Sequence, residues 1–142
     1  MIKYPLLVLL LLLTISRGFS QDKQLNLFTD TATKYIVSID AVKDFVAGKK
    51  NQVNNLKLSP GLSLKMYVNM NEWNDENTHT VGGRLIDYED SYLTLTLFTY
   101  KGKLSVSGDI FSKKNATAFK IFLNDQGNIS VEKTDKDKII IE

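Results

Sequence analysis

One histidine, no cysteine and two groups of acidic side chains make up the chemistry-bearing residues of this 142-residue chain. His79 stands between Thr78 and Thr80. A Ser-His-Asp arrangement would need a nucleophile signature beside it, and no G-x-S-x-G occurs. Zinc sites draw Cys and His in groups, so a lone His in a Cys-free chain does not build one. No H-E-x-x-H, P-loop or G-x-G-x-x-G is present. The acids gather as Glu72, Asp75 and Glu76, then as Asp87, Glu89 and Asp90. Paired carboxylates hydrolyse glycosides when a walled cleft raises the pKa of one of them. Oxygen-rich loops also suit a weak calcium site, although neither group has EF-hand spacing. In polar loops of a small domain, all six read as solvated acids and His79 as an exposed loop residue. The expectation is a protein without catalytic residues, cofactor or metal.

Side chains suited to binding are more evident. Trp73, the single tryptophan, is flanked by Asn71, Glu72 and Asn74. An aromatic of that size in a polar stretch either anchors a partner, stacks on a sugar or folds back over a sheet edge. Tyr92, Phe98 and Tyr100 share one parity in an alternating run, so the face opposite Leu93, Leu95 and Leu97 is not simply polar. Either the helix or another molecule must cover it. These four aromatics are the expected partner-binding residues.

The elements that hold them follow from hydrophobic period. Ile36, Ile39, Val42, Phe45 and Val46 recur at steps of three and four, predicting an amphipathic helix over residues 31–47. Asp30 or Thr31 would cap its start and Gly48 would close its end. From Leu62 the period becomes two, predicting strands over residues 62–70, 80–88, 91–100, 103–111, 117–124, 128–133 and 137–141. Short polar links, such as Tyr100-Lys101-Gly102-Lys103, favour hairpins over crossovers. The expected fold is α+β: one helix packed on an antiparallel meander of six or seven strands. A curled, partly closed barrel is the alternative.

The first twenty residues point to export. After Lys3, the run from Leu6 to Ile15 is almost wholly apolar. It is about ten residues long against the roughly twenty that a bilayer core requires. Ser16-Arg17-Gly18-Phe19-Ser20 then places small residues where a signal peptidase needs them. Cleavage is expected after Ser20, leaving one domain over residues 21–142 in a secreted or periplasmic setting. With Lys3 and Arg17 removed, the 18 basic residues fall to match the 16 acidic ones, and the formal charge falls from +2 to zero. Such a domain has no basic footprint for nucleic acid and no polybasic patch for a membrane. Without cysteine there is no disulfide framework, and stability rests on an apolar core. Two glycan-acceptor triplets, at Asn115 and Asn128, matter only in a eukaryotic source.

Residues 83–121 carry a family likeness. The order is Gly83-Arg84-Leu85-Ile86, then Ser91-Tyr92-Leu93-Thr94-Leu95-Thr96, then Leu104-Ser105-Val106-Ser107-Gly108-Asp109-Ile110, then Ala118-Phe119-Lys120-Ile121. It resembles the propeptide of reprolysin/adamalysin-type metalloproteinases. The resemblance implies a non-catalytic, β-rich prodomain that folds against a secreted metalloprotease, assisting its maturation or keeping it latent. Many relatives carry a zinc-ligating cysteine that this chain lacks. The reading that follows is a secreted, non-enzymatic binding protein of propeptide-like character. A calycin-like β-barrel holding a small ligand inside is the alternative, and a small hydrolase using the loop carboxylates is a third reading.

Overall fold

A computed structural model describes residues 25–139. The expected leader and its cleavage point lie outside these residues. Eight antiparallel strands form one sheet: β1 (Lys34–Val37), β2 (Val53–Ser59), β3 (Leu62–Trp73), β4 (Thr78–Leu85), β5 (Ser91–Tyr100), β6 (Lys103–Ser112), β7 (Thr117–Leu123) and β8 (Ile129–Asp135). β2 to β8 run as consecutive hairpins, and β1 returns to pair with β8, giving the order β1-β8-β7-β6-β5-β4-β3-β2. The two edge strands, β1 and β2, lie near one another, so the sheet curls into a nearly closed barrel.

This architecture overturns the expected helix on a six- or seven-strand meander. The helix, α1, covers only Ile39–Val46, and the first part of the expected helical stretch is strand β1. The reason is a second period hidden inside the first. Tyr35 and Val37 are buried while Lys34 and Ile36 are exposed, the alternation of a strand. Ile36, counted above on the helix's apolar face, points to solvent at 50 % exposure. Ser38 then breaks the run, its hydroxyl accepting from the Ala41 N–H as an N-cap. β2 was not expected at all. Its inward residues are only Leu56 and Leu58, set among asparagines and Lys57, and its pairing with β3 completes the alternation. At the other end, residues 136–138 form a 3-10 turn where the last expected strand, 137–141, was to begin; residues 140 and 141 lie outside the described ones.

Eight strands enclose an interior about wide enough for side chains to fill. Here Leu64, Met66, Val68, Val81, Leu93, Leu95, Ile110 and Phe119 are all fully buried inside it. The two ends are closed by different pieces of chain. α1 buries Val42, Phe45 and Val46 at one end. Its carbonyl end is tied to the sheet: Asn54 Nδ2 donates to Phe45 O at 2.7 Å, and Asn71 Nδ2 donates to Val46 O at 3.5 Å and to Gly48 O just past the helix. The segment before β1 closes the other end. Leu27 is fully buried, and Phe28 meets Tyr88 and Phe119 edge-on at 5.5 and 6.0 Å between ring centres. The buried Leu27 N–H donates to Tyr88 Oη at 3.1 Å. Tyr88→Phe leaves that amide without a partner and is expected to lower the unfolding free energy by about 1–3 kcal/mol, measured by urea denaturation.

Candidate functional site

β5 presents its outer row, Tyr92, Thr94, Thr96, Phe98 and Tyr100, to solvent on the side away from the core. Among the described residues, neither α1 nor residues 25–33 cover this row. Its aromatics sit in two pairs. Tyr92 stacks on its cross-strand neighbour Phe111, with ring centres 5.4 Å apart, and Lys113 Nζ lies 5.6 Å from the Tyr92 ring centre. Phe98 stacks on Tyr100 at 6.3 Å, and Lys101 Nζ lies 5.2 Å from the Tyr100 ring centre. The second pair flanks a tight hairpin whose central residues, Lys101 and Gly102, both take positive φ, the signature of a type I′ turn. Tyr92 and Phe98 are six residues apart on one strand, about 20 Å. Hydroxyls fill the interval: Thr94 and Thr96 on β5, Thr80 on β4 and Ser107 on β6. Thr80 and Thr96 are linked at 3.2 Å between their oxygens. On one flank, Tyr67 and Arg84 continue the Tyr92–Phe111 row in register. Arg84 has no ion-pair partner among the described residues.

Trp73 belongs to a different surface. The stretch expected to be a loop from residue 71 is the end of β3, and a register shift between Val68 and Met70 reverses which side chains face inward. Beyond it Asn71 pairs with the buried Val81, and Trp73 with His79, so both turn toward the barrel mouth where α1 sits. The single tryptophan and the single histidine stack with ring centres 4.5 Å apart and 6° between planes. His79 is therefore a half-buried strand residue, not an exposed loop one. Its Nε2 lies 2.7 Å from Asn71 Oδ1. The Asn71 amide nitrogen is already committed to the α1 carbonyls, so Oδ1 is the acceptor and Nε2 carries the proton. An open cleft of about 400 Å³ lies beside the pair, lined by Lys43, Val46, Ala47, Asn71, Trp73 and His79.

Burial holds the His79 pKa below its ordinary value, so the imidazole is neutral at pH 7. The unfolded chain takes up this proton more readily than the fold does. The contribution of neutral His79 to stability is therefore complete above the ordinary histidine pKa and is lost as pH falls through and below it. Protonated imidazole quenches a stacked indole. Trp73 emission is expected to fall on acidification with a midpoint below about 6.5, read by a fluorescence pH titration.

The loop acids do not converge. Asp75 organises its own hairpin loop, accepting from the Asn77 N–H at 2.7 Å and the Thr78 hydroxyl at 3.1 Å. Those bonds, that of Asn77 foremost, lower its pKa. Glu89 is held low by Lys114, which also lies 3.9 Å from Asp90. Asp87 approaches Lys65 at 4.0 Å. The carboxyl that burial raises is Asp109, on the outer side of β6, where its cross-strand neighbours are Thr94 and Lys120 rather than a second acid. Among the described residues, no three His, Asp or Glu side chains gather as a metal site.

The four aromatics singled out from sequence thus divide into three places: Tyr92 with Phe111, Phe98 with Tyr100, and Trp73 with His79. Sequence reasoning missed Phe111 and the His79 stack, because both depend on strand register. Comparison with known proteins adds no relative: no family model matches, and neither a characterised protein nor a solved structure is significantly similar.

Proposed function

We propose that this is an exported, non-enzymatic binding protein whose contact surface is the outer face of β4, β5 and β6 around Tyr92, Phe98 and Tyr100. The observation that carries the reading is the pair of aromatic clusters on one outer strand face, each with a lysine over a ring. Phe98 and Tyr100 are 41 % and 59 % exposed, much apolar area for a strand to leave in water. Aromatics flanked by cations are the composition that protein interfaces favour, and rigid rings lose little freedom on docking. The partner suggested by the propeptide likeness is a secreted metalloprotease, since residues 83–121 fall on β4 to β7 and include this face. A ligand held inside the barrel, as in a calycin, has less support, because leucine, valine and phenylalanine side chains occupy that space.

The test is binding of the purified protein to metalloproteases exported by the same cells, with protease activity followed in parallel. A Tyr92→Ser, Phe98→Ser double variant is expected to weaken the complex at least about tenfold while leaving the far-ultraviolet spectrum unchanged. If no protease is bound or inhibited, the propeptide-like role is wrong. If the double variant binds as well as the parent, the surface is wrong.

A further inference from the structure

We propose that the part of the outer face centred on Arg84 docks an acidic protein segment, a carboxylate side chain set among apolar ones. This site lies on the binding surface assigned above and rests on that reading; what it adds is the chemistry of the partner. Cross-strand register builds it. Val53 of β2, Tyr67 of β3, Arg84 of β4, Tyr92 of β5 and Phe111 of β6 are partners in turn, one row across five strands. At the usual spacing of neighbouring strands the row is about 19 Å long. Ile86 stands two residues beyond Arg84 with the buried Leu85 between them, so it shares the Arg84 side of the sheet. Val53, Ile86 and Tyr67 are 54 %, 46 % and 38 % exposed. Tyr67, Tyr92 and Ile86 thus flank Arg84 on three sides, and Gly82 on the fourth adds no side chain.

The state of Arg84 selects the occupant. Its guanidinium is exposed and makes no hydrogen bond, ion pair or ring contact among the described residues. The acids at this end of the barrel are engaged elsewhere: Asp87 approaches Lys65, and Glu89 and Asp90 face Lys114. Asp109, two residues from Phe111 on β6, stands between Thr94 and Lys120. Lys113, whose Nζ lies over the Tyr92 ring, adds a second positive charge. A molecule that covers the apolar row also takes the guanidinium, with its five N–H donors, out of water. That is costly unless the molecule returns an anion. A planar carboxylate meets the guanidinium fork with two parallel bonds. Apolar side chains beside that carboxylate dry the tyrosines, Val53 and Ile86, which a free phosphate or a glycan sulfate leaves wet. Arginine and tyrosine ringed by apolar contacts are also where binding energy concentrates in protein interfaces.

Selection of a random-peptide display library on the purified protein is expected to enrich sequences with one Asp or Glu between apolar residues. The synthesised consensus peptide is the probe. Replacing its acid by the amide, or Arg84→Gln in the protein, should weaken binding at least about tenfold with the circular dichroism spectrum unchanged. Arg84→Lys, which keeps the charge and loses the fork, should recover only part of that loss. Added salt should weaken the parent complex more than the Arg84→Gln complex. No enrichment, enriched peptides without an acid, or full affinity in Arg84→Gln overturns the acidic anchor. The Tyr92→Ser, Phe98→Ser variant separates that failure from failure of the surface. If it loses peptides that ignore Arg84, the face stands and the anchor falls. If it and Arg84→Gln both keep every enriched peptide, the surface falls as well.

Discussion

Gly83→Ala is expected to lower the unfolding free energy by about 3 kcal/mol, while Gly82→Ala, one residue earlier, should cost less than about 1 kcal/mol. The two glycines are adjacent on β4 but face opposite ways. A Cβ at Gly83 would lie 2.1 Å from Tyr67 O and 2.9 Å from Tyr67 C, both backbone atoms of β3. They cannot retreat without breaking the ladder that pairs Tyr67 with Arg84 and Val68 with Gly83. A Cβ at Gly82 would meet only Met70 Cε within 3 Å, the far end of a flexible side chain. Gly108 repeats the inward case on β6, with Thr94 O at 2.4 Å. Glycines at such positions let neighbouring backbones approach where a sheet coils tightly into a barrel. Urea denaturation of the two variants, followed by circular dichroism, reads the difference directly. Equal midpoints would show that the strands do not close on one another at Gly83.

Phe119→Ala is expected to cost about 3–5 kcal/mol, a large share of the stability of a domain this size. Phe119 is fully buried on β7 and touches rings from two other parts of the chain: Phe28 at 6.0 Å and Tyr35 of β1 at 6.4 Å. It thus joins the sheet to β1 and to the segment that closes one barrel end. Removing it leaves a cavity that three separate pieces would have to collapse into. The same substitution at Phe122, three residues further on β7 and 37 % exposed, should cost no more than about 1 kcal/mol. Hydrogen exchange adds a second reading: in Phe119→Ala the Leu27 amide should lose protection before the β5 and β6 amides do. Simultaneous loss would mean that the closing segment and the sheet unfold as one unit.

The propeptide likeness and the glycine positions meet at one physical point. The glycine strands that suggested the family are Gly83 on β4 and Gly108 on β6, and in the fold both serve close strand approach. Close strand approach is a physical reason for glycine at each of these two positions. The proposed partner therefore rests on the exposed aromatic face and on the order of the hairpins, and the binding experiment with Tyr92 and Phe98 addresses it directly.

Some features were legible because they are local. The alternation of Leu93, Leu95 and Leu97 against Tyr92, Thr94 and Thr96 marked β5 with its bounds, since period two over ten residues has no helical counterpart. The same parity placed Tyr92, Phe98 and Tyr100 on one face, without deciding whether the helix covers it, and the Lys101-Gly102 turn was readable from its glycine. The strand at residues 34–37 was not, because four residues of alternation next to Ile39, Val42 and Val46 also satisfy a helical period; pairing with β8, nearly a hundred residues away, decides between them. Likewise only the register shift between Val68 and Met70 sets Trp73 beside His79 on one side of the sheet, and only the bonds from Asn71 to the end of α1 fix the His79 tautomer. Residue order alone thus determined which side chains share a strand face, a consequence of backbone geometry over neighbouring residues. Which strands become neighbours, and with them the closed barrel and the cleft at its mouth, was decided by hydrogen bonds and core contacts between distant segments, for which a local pattern carries no signal.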